Sequence, residues 1–201
     1  MESIASMVME GAALERKSWS ESLAFAGRAL AAPRRFGAIL PSGTELCRVL
    51  ARAGGGKTLV ELGPGTGSIT RHLLKGLPMD GRILALELDP GIAYLLQKRL
   101  PDPRLQVRIG DAGDLAQWLG SLGWGPADAV VSGLPFQNFP KEVRTRILTA
   151  ARDALGSGGR FVAFQYGLRL LPEFRSVFRR VHVLGPVLKN LPPAYVVIGR
   201  P

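Results

Sequence analysis

Thr58-Leu59-Val60-Glu61-Leu62 leads into Gly63-Pro64-Gly65-Thr66-Gly67 and on to Ser68-Ile69-Thr70, the pattern of an apolar strand, a Gly-x-Gly-x-Gly turn and a helix. Glycines at that spacing allow a sharp turn and let a ligand approach the main chain at the first crossover of an α/β unit. Twenty residues past Gly67, Glu87 closes the next apolar run in Leu86-Glu87-Leu88-Asp89-Pro90, where a carboxylate can accept both hydroxyls of a ribose. Asp111, in Gly110-Asp111-Ala112, follows the third run and suits the amino group of an adenine. Taken singly, Asp111 reads equally as a helix cap and Glu87 as half of a surface ion pair. Together, at three strand ends, they converge on one nucleoside.

The glycine spacing also says which nucleoside. A dinucleotide fingerprint places its third glycine one position later, so that a helix N-terminus meets the pyrophosphate; position 68 is serine. Glu61 would repel phosphate, whereas its carboxylate suits the amino group of a methionyl moiety. The expected ligand is S-adenosyl-L-methionine.

These residues need strands that end side by side. After residue 57 short aliphatic runs alternate with helical patterns, which predicts a doubly wound, mostly parallel sheet covered on both faces. The expected strands are Thr58 to Leu62, Arg82 to Leu86, Leu105 to Ile109, Ala127 to Ser132 and Gly159 to Gln165, with crossover helices over Pro90 to Leu100 and Lys141 to Leu155. Val181 to Leu188 and Tyr195 to Ile198 flank Asn190-Leu191-Pro192-Pro193 as two closing strands, antiparallel to at least one neighbour.

Before residue 57 the pattern differs. Residues 3–31 read as an amphipathic helix with Val8, Ala12, Trp19, Leu23, Ala26 and Leu30 on one side and Lys17, Glu21 and Arg28 opposite. It is expected either to dock on the sheet domain or to lie in a bilayer surface. The organisation is thus an N-terminal helical, membrane-associating or lid segment (1–41) and a ligand-binding α/β domain (42–201).

With 201 residues, 46% of them apolar, the chain suits one core. No window resembles a spanning helix or a signal peptide. One cysteine, Cys47, beside His72 and His182, excludes an intrachain disulfide and leaves no zinc constellation, so no metal is expected. The net charge is +10, of which residues 141–201 hold +8, an asymmetry that suits a polyanionic partner such as nucleic acid or an anionic lipid surface.

The glycine motif and the closing strands resemble the class I S-adenosylmethionine-dependent methyltransferases, whose seven-stranded sheet ends on an antiparallel strand. Further segments are similar to the bacterial phospholipid N-methyltransferases: Gly37-Ala38-Ile39-Leu40-Pro41-Ser42, Val60 to Gly67, Ser132-Gly133-Leu134-Pro135, Phe164-Gln165-Tyr166-Gly167 and Asn190-Leu191-Pro192-Pro193-Ala194. The Ser-Gly-Leu-Pro and Asn-Leu-Pro-Pro-Ala pieces are the most discriminating. The candidate cofactor contacts are Ser42, Glu61, Gly63, Gly65, Gly67, Glu87, Asp111 and Ala112.

The resemblance implies stepwise methylation of the headgroup amine of phosphatidylethanolamine towards phosphatidylcholine. That amine, with a pKa near ~10, must lose its proton before its lone pair attacks. Candidates to assist are the backbone carbonyls of Ser132 to Pro135, Tyr166, or water; Ser132, Pro135 and Tyr166 are the catalytic candidates. Phe136, Tyr166 and Tyr195 are candidates for a cation cage around a methylated nitrogen, and Asn190 joins Phe136 and Tyr195 as a substrate contact. The implied location is cytoplasmic, on the inner face of the membrane, through the N-terminal helix and through Arg175, Arg179 and Arg180 interleaved with Phe174, Val177 and Phe178.

Three alternatives stand beside this one: an ornithine-lipid N-methyltransferase, an rRNA adenine N6-dimethyltransferase-like enzyme, and an inactive cofactor-binding membrane adaptor. Against RNA, the motif at 132 opens with serine where asparagine is expected, and the chain ends at Pro201 directly after the last strand, leaving no appended RNA-binding domain. No nucleic acid partner is therefore expected.

Overall fold

The structure, a computed structural model, describes residues 43–201. The amphipathic segment at 3–31 and the candidate Ser42 lie outside the described residues. In chain order the elements are α1 (Thr44–Ala53), β1 (Thr58–Leu62), α2 (Ser68–Gly76), β2 (Arg82–Glu87), α3 (Pro90–Arg99), β3 (Leu105–Ile109), a 3₁₀ turn (Ala112–Asp114) and α4 (Leu115–Ser121). There follow β4 (Ala127–Ser132), a second 3₁₀ turn (Phe136–Asn138), α5 (Lys141–Asp153), β5 (Leu155–Gln165), α6 (Leu171–Val177), β6 (Arg180–Val187) and β7 (Ala194–Arg200).

The seven strands form one sheet in the order β3-β2-β1-β4-β5-β7-β6. β1 to β5 run parallel, and β7 is antiparallel to both its neighbours. Register aligns the carboxyl ends: Leu62 pairs with Leu86 of β2 and with Ser132 of β4, and Glu87 with Ile109 of β3. The chain reverses outward from β1 on either side, so the glycine turn after β1 sits at the switch point where open α/β sheets bind ligands.

Apolar burial on both faces explains the almost unbroken apolar character of the central strands. On one face Leu46, Cys47 and Leu50 of α1 and Ile69, Leu73 and Leu74 of α2 pack on Leu59, Val131 and Val162. On the other, α5 and α6 cover a phenylalanine cluster in which Phe136 meets Phe139, Phe161 and Phe174 edge to face, with centroids 5.9–6.2 Å apart. Phe178 stacks on Phe161 at 5.2 Å.

Two expectations change here. Phe174 and Phe178 are buried in this cluster and do not face a membrane; their i, i+4 spacing turns both rings inward while Arg175 and Arg179 stay exposed. β5 begins at Leu155, four residues before the expected start. Leu155 pairs with Ala127, and the ladder resumes at Arg160 opposite Ala129, so the glycine-rich stretch between them forms an irregularity inside a strand.

Candidate active site

A cavity of about 360 Å³ opens at the carboxyl ends of β1 to β4, lined by Gly63, Gly65 and Thr66 from the glycine turn, Glu87 and Leu88 from the end of β2, Gly110 and Ala112 beyond β3, and Leu134 and Pro135 beyond β4. Ile92, Leu95 and Leu96 of α3 supply an apolar wall. Its volume is that of a small-molecule site.

The turn that shapes it needs glycine. Gly63, Gly65 and Gly67 all have positive φ, at 66°, 53° and 82°. A Cβ on Gly65 would meet nothing within 4 Å, so open space lies over that residue, as a cradle for a ligand requires. Gly67 differs: it is the left-handed N-cap of α2, a Cβ there would press on Leu96 and Leu100, and it does not line the cavity. Its role is helix packing.

Glu87 lines the cavity and ties the turn to β2. Its Oε2 accepts from Gly65 N–H (3.2 Å), and its Oε1 from Leu88 N–H (2.9 Å) and Asp89 N–H (3.2 Å). These bonds favour the ionised form but burial outweighs them, and the carboxyl pKa is raised. A carboxylate offers about four lone-pair sites, so acceptor capacity remains for a ligand hydroxyl. Asp89 caps α3 through Gly91 N–H (2.8 Å) and Ile92 N–H (3.0 Å), holding the apolar wall in place.

Asp111 stands between the lining residues Gly110 and Ala112. Its Oδ1 accepts from Gly113 N–H (2.7 Å) and its Oδ2 from the Arg146 guanidinium (3.0 Å). The capping role open to it in the sequence is therefore present, and through it Asp111 fixes the 3₁₀ turn that presents Ala112.

Glu61 is completely buried behind the turn and lines neither cavity, and neither carboxyl oxygen has a hydrogen-bond partner among the described residues. Desolvation is the main cause that pushes its pKa up to about 8; the nearby carboxylate of Glu87 adds to this, and the hydroxyl and N–H of Thr70 offset part of it without closing a bond. Its charge helps push the buried Cys47 thiol up to about 11, after burial itself. A buried carboxyl group with no donor calls for a cation.

The turn after β4 carries a second cavity of about 90 Å³, lined by Gly133, Leu134, Pro135, Phe136, Gln137, Asn138, Phe164, Gln165 and Tyr166. Leu134 and Pro135 line both cavities, so the two spaces meet across these residues. The turn is tight: Ser132 Oγ accepts from Leu134 N–H (3.2 Å), and a Cβ on Gly133 would stand 2.7 Å from Gly63 O. The Leu134 and Pro135 carbonyls accept from Phe136 N–H (3.0 Å) and Asn138 N–H (2.9 Å), and Ser132 belongs to the sheet opposite Ala163, which leaves Gly133, at the wall of the second cavity, as the remaining proton-assisting candidate of that motif. Ser132 itself lines neither cavity and shapes the turn.

The aromatic cage is not assembled as expected. Phe136 is sealed in the phenylalanine cluster, a core residue with no face free for a cation. Tyr195 lines neither cavity and, by the alternation of β7, stands on the face of Val197, whereas Tyr166 packs on the opposite face. Instead Tyr166 pairs edge to face with Phe164 at 5.6 Å, and both line the second cavity. Burial raises the Tyr166 phenol pKa, so it stays protonated and serves as a hydrogen-bonding group and not as a phenolate base. Asn190 is buried beside it; Oδ1 accepts from Gly43 N–H (2.8 Å) and Nδ2 donates to Pro192 O (2.6 Å), which fastens the entry to α1 onto the β6–β7 connection. Of the family-like segment Phe164-Gln165-Tyr166-Gly167 the sequence marks only Tyr166 as a contact, although the place of Phe164 and Gln165 at the carboxyl end of β5 is a signal for ligand contact.

Residues 59–159, half of the chain, match the family described as a methyltransferase domain. Over 147 residues the chain is 35% identical to an ornithine lipid N-methyltransferase of Singulisphaera acidiphila, covering 69% of this chain and 72% of that protein. The chain belongs to the class I S-adenosylmethionine-dependent methyltransferases. It is also 46% identical over 93 residues to a ribosomal RNA small subunit methyltransferase A of Thiobacillus denitrificans, a match covering 46% of this chain and only 32% of that protein. Among solved structures, an O-methyltransferase from Bacillus cereus in complex with SAH shares the fold, with a TM-score of 0.64 over 92% of this chain and 91% of that one at 16% identity.

The methyltransferase's cofactor is S-adenosylmethionine, and the residues present fit it. The unpartnered Glu61 carboxyl suits the ammonium of the methionyl part, the open space over Gly65 leaves room at the turn, Glu87 has acceptor capacity for ribose hydroxyls, and the wall of Ile92, Leu95 and Leu96 suits a flat base. When bound, the cofactor supplies a methyl group activated by its sulfonium for in-line displacement. Among the described residues no cluster of metal-ligating side chains occurs, and no helix is long and apolar enough to cross a membrane.

Proposed function

We propose that this methyltransferase is a lipid N-methyltransferase, acting at a membrane surface on the headgroup amine of phosphatidylethanolamine or an ornithine lipid. The observation that carries this reading is the junction of the two cavities across Leu134 and Pro135, with the second space walled by Phe164 and Tyr166. Aromatic faces hold an alkylated ammonium that has lost its N–H donors. The ornithine lipid N-methyltransferase relative supports an amine on a lipid as acceptor.

In this reading the protein aligns and desolvates. The protonated amine sheds its proton to water at the mouth, with the Gly133 carbonyl able to accept one of its N–H groups as a hydrogen bond, and enters the second cavity neutral. Leu134 and Pro135 hold it at the boundary with the first cavity, and Phe164 and Tyr166 exclude water around it.

A membrane partner is supported by the β6–β7 connection, where Leu188 and Leu191 are 74% and 75% exposed around Lys189. Asn190, between them, lies against the Tyr166 hydroxyl of the second cavity. Exposed leucines beside a cation and next to the acceptor space suit shallow insertion into an anionic surface.

The test offers purified protein and labelled cofactor to anionic vesicles containing phosphatidylethanolamine, to vesicles containing ornithine lipid, and to ribosomal RNA. Label in extractable lipid is the expected result, and the two vesicle arms identify the headgroup. Label in RNA alone would transfer the assignment to an RNA methyltransferase, and cofactor binding without any transfer would make the protein an inactive adaptor.

A further inference from the structure

Gln165, the last residue of β5, is 4% exposed and lines the second cavity. Its main chain is engaged in the ladder opposite Tyr195, and its carboxamide, which is not sealed among the buried unpartnered groups, borders the open space of the cavity. A carboxamide held on a nearly buried residue at a cavity wall presents one acceptor and two donors to whatever enters that space. The carboxamides of Gln137 and Asn138 also border this cavity, from the exposed side of the 3₁₀ turn, while Gln165 closes it from the sheet.

We propose that Gln165 is the specificity-determining residue for the methyl acceptor, its side-chain carbonyl accepting an N–H of an uncharged primary or secondary amine and turning the nitrogen lone pair towards Leu134 and Pro135. This rests on the N-methyltransferase reading above and deepens it. The transfer balances simply. The nitrogen lone pair forms the new N–C bond, the electron pair of the breaking S–C bond stays on sulfur, and the resulting ammonium releases one proton to water before another round. A primary amine has two N–H groups, a monomethylated amine one, and a dimethylated amine none. Gln165 therefore orients the first two acceptors and has no grip on the third, which Phe164 and Tyr166 hold by their faces alone.

The experiment uses the full chain and its Gln165→Leu and Gln165→Ala variants with vesicles containing phosphatidylethanolamine, its N-methyl form or its N,N-dimethyl form. S-adenosylhomocysteine binding is measured by calorimetry as the control for folding. The variants are expected to bind S-adenosylhomocysteine like the native chain, to lose roughly 5- to 100-fold in kcat/KM with the primary and monomethyl acceptors, and to change less than about twofold with the dimethyl acceptor. Equal loss on all three acceptors, or no loss on any, overturns the role of Gln165 while leaving N-methylation intact. Failure of the native chain to methylate any of the three, or ornithine lipid in the same vesicles, overturns the parent reading and this one with it. Should either variant lose S-adenosylhomocysteine binding, the other decides; loss in both assigns Gln165 a structural role and overturns the proposal.

Discussion

A Cβ placed on Gly63 would stand 2.5 Å from Leu134 Cδ2, so the glycine turn after β1 and the turn after β4 share one volume. Leu134 fills the space that any side chain at Gly63 would need and, from there, borders both cavities. Gly63→Ala combines this clash with a left-handed backbone at φ 66°, a strain of about 1–3 kcal/mol by itself. A double-mutant cycle with Leu134→Ala, read by denaturant unfolding, is expected to show coupling: the second substitution removes the steric part of the loss and leaves the backbone part. Strict additivity would contradict the shared volume.

Glu61 makes stability and cofactor binding depend on pH. Its folded pKa of about 8 lies above the ordinary carboxyl value, so between roughly pH 5 and 8 the folded state holds a proton that the unfolded chain has released. Stability is then fully present at low pH and is lost as pH rises through about 8, with a slope of up to about 1.4 kcal/mol per pH unit. Glu61→Gln is expected to flatten that slope in urea titrations from pH 6 to 8.

The same group faces the opposite way once a ligand arrives. An ammonium opposite Glu61 favours the carboxylate, so binding at pH 7 is expected to release a proton, and affinity to rise from pH 6 to 7.5. Calorimetry in buffers of different ionisation enthalpy measures that proton, and Glu61→Gln is expected to abolish it together with most of the affinity.

Asp111 separates a capping role from direct contact. Asp111→Ala removes the acceptor for Gly113 N–H and the partner of Arg146, with an expected loss of about 0.5–2 kcal/mol in stability. Asp111→Asn retains an acceptor for the cap. If the carboxylate also reaches the adenine amino group, Asp111→Asn keeps most of the stability but lowers S-adenosylhomocysteine affinity; equal affinity to the native chain would confine Asp111 to the turn.

The sheet was readable in the sequence where burial on both faces forces unbroken apolar runs. β1, β3 and β4 have the expected bounds, and β2 is longer by one residue, Glu87 itself. The start of β5 was not, because Gly156 to Gly159 read as a turn and only pairing with β4 makes them part of a strand. In the site, Gly63, Gly65, Glu87, Ala112 and Pro135 do line the cofactor cavity, since strand ends and turn chemistry are local properties. What local pattern could not give is which way an aromatic points. Phe136 belongs to the core because two distant phenylalanines, Phe161 and Phe174, close on it beside its neighbour Phe139, and Phe164 and Tyr166 line the second cavity because the sheet brings the end of β5 beside the β4 turn.

The exposed leucines of the β6–β7 connection give a test of membrane docking that spares the chemistry. Leu188→Ser with Leu191→Ser is expected to weaken binding to anionic vesicles at least tenfold, as loss of two inserting side chains implies. Cofactor affinity is expected to stay unchanged, and binding of the native chain to weaken with added salt. Sedimentation with vesicles at two salt concentrations measures both effects.

The central claim is that methyl donor and acceptor meet across Leu134 and Pro135. A crystal structure with S-adenosylhomocysteine tests it most directly. The account predicts the ligand's ammonium against Glu61, its ribose on Glu87, and its sulfur facing Leu134 and Pro135 with the second cavity beyond. A ligand seated elsewhere, or a sulfur turned away from those two residues, would contradict it.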